Sequence, residues 1–283
     1  MLSLTKEIDY ALLALSYLAL QITPNAISAK EIANKINIPS EHLAKILQNL
    51  SKFQKEYDNL PSYNSIIAKG YGEGYGEVES HILYGFVRYF KPKQIIEVGS
   101  GISTYYSITA LRKNKTDENT DSKITCIEPY PKKALYTLSS SKDSQVELIP
   151  KLLQDTDIKL FKTLKENDIL FIDSSHIAKI NSDVYHIYLQ ILPLLNKGVI
   201  IHIHDISFPH LTPDNVEHWI FNKHQFWNEC AFLKAFLTFN NAFEILLCSS
   251  YLHYKKPDVL HSVFNIYDRK KHFPNSIWLR KIL

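Results

Sequence analysis

Glycine is scarce in this chain: there are 8 among 283 residues, and four of them crowd into GYGEGYG at 70–76. That stretch, a linker or a lid, is therefore the most flexible ordinary segment of the sequence. Cysteine is scarcer still. Cys126, Cys230 and Cys248 are far apart and form no C-x-x-C, which excludes a disulfide framework and fits buried thiols in a reducing cytoplasm. Charge of either sign is not in excess, because 32 Lys and Arg face 29 Asp and Glu for a net +3. No stretch has the dense basic character of a strong polyanion binder. Long apolar runs are missing too: YALLALSYLALQI at 10–22 is too short to cross a bilayer and follows Glu7 and Asp9 rather than a basic cluster. A membrane span and a signal peptide are not expected, and the expected location is cytoplasmic.

What is present is core. At 45% hydrophobic residues, the chain has enough apolar side chains for one large α/β domain and a small appendage. Short apolar, often β-branched runs predict strands at QIIEV (94–98), KITCIEP (123–129), VELI (146–149), DILFID (168–173) and GVIIHIHD (198–205), with two more at FEILLCSS (243–250) and SIWLRKI (276–282). Helical patterns such as NSDVYHIYLQILPLL separate the first five. The expected fold class is α/β: a Rossmann-like, seven-stranded, mostly parallel sheet with helices on both faces, its last two strands an antiparallel pair.

The first strand runs into EVGSGIST, a turn with two glycines and a carboxylate before it. A dinucleotide site wants a third glycine in G-x-G-x-x-G and places phosphate against the turn, where Glu97 would repel it. A cationic ligand without phosphate fits better. S-adenosylmethionine carries a sulfonium and needs close backbone approach at Gly99 and Gly101, while Glu128, ending the second strand, is placed to accept from both ribose hydroxyls.

The run FIDSSHIAKINSDVYHIYLQILPLLNKGVIIHIHDISFP, with FWNECAFLKAFLTFNNAFEILLCSSYL and SIWLRKI, resembles class I S-adenosylmethionine-dependent methyltransferases of a bacterial small-molecule type. The likeness extends from about Tyr57 to the C-terminus and includes EVGSG-x-ST. It implies that Glu97, Gly99, Gly101, Ser103 and Glu128 line the cofactor site, with Gln154 and Asp155 near the adenine. Gln225 stands where family members often carry an arginine, which implies a different grip on the acceptor.

Ligands of open α/β sheets sit beyond the carboxyl ends of the strands. Asp173 and His176 follow strand four, and His204 and Asp205 close strand five. His204, then His176, are the candidate bases for removing an acceptor hydroxyl proton. Alternatively, Asp173, His204 and Asp205 hold a divalent metal, magnesium or manganese, which lowers that hydroxyl's pKa. His202, on the same strand face as His204, is read as a core residue. Trp227 is read as packing, Asn228 and Glu229 as within reach of substrate, and Tyr71 and Tyr75 as covers for the cofactor. The function expected is methylation of a small molecule, on oxygen. The alternatives are a ligand-sensing transcription regulator and a NAD-dependent oxidoreductase.

The domain boundary is placed between residues 56 and 57. Before it, Ile8, Ala11, Leu12, Leu15, Leu18, Ala19 and Ile22 fall at helical spacing, SAKEIANKI is capped by Ser28, and SEHLAKILQNLSKF is capped by Ser40. This segment resembles the start of winged-helix regulators of the iron-sulfur cluster repressor type, without their wing or cluster cysteines. Residues 1–56 hold six lysines against five acidic residues, a net +1. That is thin for phosphate neutralisation, so DNA is not the expected partner and the helices are read as serving packing or homodimer formation.

Overall fold

The computed structural model describes residues 40–141, 144–211 and 216–283. The two helices expected before residue 40 lie outside the described residues. All seven expected strands form: β1 Gln94–Val98, β2 Lys123–Ile127, β3 Val146–Ile149, β4 Ile169–Ile172, β5 Ile200–His204, β6 Phe243–Cys248 and β7 Ser276–Lys281. They make one sheet in the order β3-β2-β1-β4-β5-β7-β6. The first five strands run parallel, as βαβ connections require, and β7 inserts antiparallel between β5 and β6.

The alternation of each strand divides its residues between two cores. Ile95, Phe171, Ile200 and Trp278 pack on one face; Ile96, Val98, Leu170, Ile172, Ile201 and Ile203 pack on the other. Neither side of a central strand meets water, which is why these segments read as continuous apolar runs. Helices α1 Ser40–Ser51, α2 Glu77–Phe90 and α3 Ile102–Glu118 lie on the first face. Phe86 of α2 stacks on Trp278 with 3.8 Å between ring centroids. The second face is covered by the helix over 183–194 and by α4 Glu229–Leu237.

Helix α1 is part of this packing. Ile46 and Leu50 join the first core, and the Tyr57 hydroxyl donates to the Leu50 carbonyl at 3.0 Å. Nearby, the largely buried Arg88 is bound by Glu56 at 2.8 Å and Asp117 at 2.7 Å. A guanidinium with carboxylates on two sides ties this layer together.

The strand order reverses direction between β1 and β4. At such a point the connections leave to opposite faces, and a crevice opens beyond the strand ends. The turn after β1, Glu128 after β2, Asp173 after β4 and Asp205 after β5 all belong to that rim.

Candidate active site

The turn after β1 needs its first glycine on two counts. Gly99 has φ +77°, and a Cβ there would lie 2.2 Å from the Asp173 carbonyl oxygen. A side chain is therefore excluded by both conformation and contact. At Gly101 a Cβ would meet the Tyr71 carbonyl at 2.9 Å. The glycine-rich segment thus folds back over the rim. Within it, Tyr75 is buried, its ring 4.8 Å from that of His204 and its hydroxyl 3.2 Å from His202 Nε2.

Glu97 and Ser103 lie one layer below the turn. Glu97 is fully buried and accepts from Ser103 Oγ at 2.5 Å, Thr104 Oγ1 at 2.6 Å and Cys126 Sγ at 3.3 Å. It ties β1 to the first turn of α3, and its oxygens are engaged from inside. Burial pushes its carboxyl up to about 7, against the pull of those three donors. Glu128 lies at the surface of the groove, accepting from the Ser100 N–H at 3.3 Å and the Tyr130 N–H at 2.9 Å. Two buried polar atoms near this rim have no hydrogen-bond partner among the described residues: Ser100 Oγ and Gln154 Oε1. Gln154 is held from its other end, where Nε2 donates to the Asn181 carbonyl at 3.0 Å. Unpartnered polar atoms, a glycine turn and a carboxylate at the groove edge suit a ligand with amine and hydroxyl groups, so these residues fit S-adenosylmethionine.

Beyond Gly99 the rim carries a cluster. Asp173, His176, His204 and Asp205 each bring a donor atom within 4.8 Å of the others. His204 Nδ1 is 3.3 Å from Asp173 and 3.6 Å from Asp205, and its Nε2 is 3.3 Å from Glu79. Burial works against a charged His204, but the carboxylates of Asp205, Glu79 and Asp173 outweigh it and hold the ring well above its ordinary range. His176 is likewise raised to about 11, its burial overcome by hydrogen bonds to Asp173, Asp205 and Glu229. Burial would raise Asp173, yet the neighbouring histidines hold its carboxyl below the usual range. Each ring thus holds its protons between carboxylates. A divalent cation among the four donors takes the place of the two inner ring protons without changing the net charge of the cluster, so these residues fit such an ion.

His202 is a core residue, as its alternation with His204 on the strand implies. Its ring stacks on Phe171 at 4.2 Å, and burial followed by the charge of His204 keeps it neutral. Trp227 packs on His176 with centroids 4.6 Å apart. Asn228 is occupied with the backbone of Ala178, accepting from its N–H at 2.6 Å. Glu229, read from the sequence as within reach of substrate, is buried behind His176 and accepts from Ser174 Oγ at 2.7 Å and the Tyr188 hydroxyl at 3.0 Å. Glu79 was not singled out at all. A glutamate in the first turn of a helix looks the same in sequence whether it meets solvent or, as here, a histidine 125 residues away.

Next to the cluster a cavity of about 500 Å³ opens between the glycine-rich segment and β5, walled by Tyr63, Tyr75, Phe273, Glu73, Glu79 and Asp205 among others. No lysine or arginine lines it among the described residues.

Residues 96–206 match the family described as a methyltransferase domain. Over that span the chain is similar to a methyltransferase domain. The matched span runs from within β1 past the end of β5, taking in the glycine turn and every donor of the cluster. Residues 4–54 match a family of iron-dependent transcriptional regulators; most of that span lies outside the described residues. An uncharacterised protein of Archaeoglobus fulgidus is 30% identical over 138 residues, 47% of this chain and 60% of the relative. The chain therefore spans less than two thirds of the length of the curated relative it matches. Among solved structures, the SAH-bound Podospora anserina methyltransferase PaMTH1 is similar at 18% identity, over 92% of this chain and 99% of that one, with a TM-score of 0.44. A candidate methyltransferase from Thermobifida fusca is similar at 12% identity, over 88% and 91% of the two chains, with a TM-score of 0.49. No described helix is long and apolar enough to cross a membrane.

Proposed function

We propose that residues 57–283 methylate a hydroxyl group of a small acceptor, using S-adenosylmethionine bound across the Gly99 turn. The observation that carries this reading is the adjacency, at the strand-order reversal, of the glycine turn and Glu128 on one side and the acidic cavity over β5 on the other. The cofactor supplies an electrophilic methyl group on a sulfonium. Glu128 and the orphaned Ser100 Oγ and Gln154 Oε1 hold and orient it, which is the larger part of the work in an in-line transfer.

Asp173, Asp205, His204 and His176 face the acceptor side. A divalent ion held there supplies a lowered pKa to an acceptor hydroxyl. The geometry favours that role over a histidine acting alone as base. Both ring nitrogens of His204 are turned on carboxylates, which retain a proton on the ring rather than leave it free to take one. The cavity wall sets Glu73, Glu79 and Asp205 against the single cationic ring of His204 and, among the described residues, no lysine or arginine, which favours a neutral or cationic acceptor. The described part of the N-terminal helical segment, α1, contributes packing.

Calorimetric titration with S-adenosylhomocysteine and, separately, NAD tests the cofactor assignment. Binding of the first alone is expected; binding of NAD in its place would reverse the reading. Transfer of labelled methyl to a panel of neutral and cationic hydroxyl compounds then tests the acceptor class, and labelling confined to carboxylate-bearing compounds would refute it.

A further inference from the structure

His176 and His204 reach the rim from different strands, yet they are held in the same manner. His176 sets Nδ1 2.9 Å from Glu229 and Nε2 3.2 Å from Asp205 and 3.4 Å from Asp173. His204 uses its nitrogens in the opposite sense, with Nε2 3.3 Å from Glu79 and Nδ1 3.3 Å from Asp173. In each ring one nitrogen faces outward to a carboxylate that is itself buried, Glu229 at 1% and Glu79 at 3% exposure, and the other faces inward to the two aspartates. A carboxylate behind an imidazole takes its N–H and leaves the lone pair on the opposite nitrogen, the arrangement that orients metal-binding histidines. The chain builds it twice around one point.

The outer carboxylates are braced in turn. Glu229 accepts from Ser174 Oγ and the Tyr188 hydroxyl, at 2.7 and 3.0 Å, and Glu79 accepts from the Asn275 N–H at 3.0 Å. Two of the inner four residues also have unusual backbone: His176 and Asp205 have φ of 59° and 53°. Left-handed backbone at a non-glycine residue costs roughly 1 kcal/mol and concentrates at functional sites. The spacing is close to that of a liganded ion. Donors about 2.1 Å from a metal stand at most ~4.2 Å apart, so a set within 4.8 Å closes on an ion by roughly half an ångström.

We propose that Asp173, His176, His204 and Asp205 form a four-donor site for one divalent transition-metal ion of the manganese-to-zinc series, in preference to magnesium, with Glu79 and Glu229 as its positioning residues. The donor chemistry makes the choice. Magnesium is held by carboxylates and retained water in an all-oxygen octahedron, whereas imidazole nitrogen suits zinc, iron, cobalt and nickel. Two nitrogens and two oxygens form a mixed set in which magnesium has the weakest claim. The ion's place in the reaction rests on the methyltransferase reading above; its binding does not.

The full chain, stripped with a chelator, is titrated calorimetrically with zinc, cobalt, manganese and magnesium. One equivalent of zinc or cobalt is expected to bind at least ~100-fold more tightly than magnesium, and the cobalt form is expected to show visible ligand-field bands. Glu229→Gln should weaken cobalt binding by about 10- to 100-fold and shift those bands. Asp205→Asn, at a residue only partly buried, provides a second variant with the same expected loss should Glu229→Gln misfold. Magnesium binding as tightly as zinc, or cobalt affinity and bands unchanged in a folded His176→Gln or Asp205→Asn protein, would overturn the assignment. S-adenosylhomocysteine is titrated into the same samples. Its binding to a chain that takes up no transition metal would sink this inference alone, whereas metal uptake without it would support the inference and remove the methyltransferase reading.

Discussion

Glu97→Gln measures what it costs to keep a carboxylate under the glycine turn. Glu97 has no exposed surface, and burial shifts its carboxyl from 4.5 to about 7 despite donation from Ser103, Thr104 and Cys126. The folded chain therefore holds a proton over a range in which the unfolded chain has released it. The stability this group contributes is fully present below pH 4.5 and is lost as the pH rises through about 7; at ~1.36 kcal/mol per pKa unit the whole loss is roughly 3 kcal/mol. Glutamine keeps the shape and an acceptor and carries no charge, and the hydroxyls of Ser103 and Thr104 can rotate to meet its amide. The variant should thus match the wild type near pH 5 and exceed it by about 2 to 3 kcal/mol near pH 9. Urea unfolding of both proteins at several pH values, compared at a common slope, reads the difference directly. Parallel stability curves would refute the reasoning, because they would mean that the three donors fully offset the cost of burying the charge.

Glu128→Ala, made at the edge of the groove, should weaken S-adenosylhomocysteine binding by about 1.5 to 3 kcal/mol, the worth of hydrogen bonds to a charged group; unchanged calorimetric affinity in the folded variant would remove Glu128 from the site. Gly99→Ala should destabilise the fold by roughly 2 to 4 kcal/mol, combining left-handed strain with overlap on the Asp173 carbonyl, and a melting temperature equal to wild type would contradict the contact. The N-terminal helices, with α1 packed on the domain, should give no saturable, sequence-selective shift of genomic DNA fragments at moderate salt, and such a shift in a mobility assay would restore the regulator alternative.

The strands were legible because both faces of the central sheet are buried. Each had to be a short apolar run, and turn residues marked its ends within two residues. Once the strands were placed, the rule that ligands sit beyond their carboxyl ends was enough to select Asp173, His176, His204 and Asp205, which the fold brings within 4.8 Å of one another. The spacing EVGSG likewise identified a turn that tolerates no side chain. Depth was not legible. Glu97 and Glu128 read, in different roles, as two carboxylates lining the cofactor site, and only packing shows one sealed under α3 and the other facing the groove. Partnership was not legible either. Glu79 and Glu229 stand behind the two histidines from 125 and 53 residues away, on helices whose local pattern gives no sign of it. Local periodicity follows from which face of an element is apolar, and so it is written in neighbouring residues; which buried carboxylate meets which imidazole depends on how distant elements pack, and only the tertiary structure decides that.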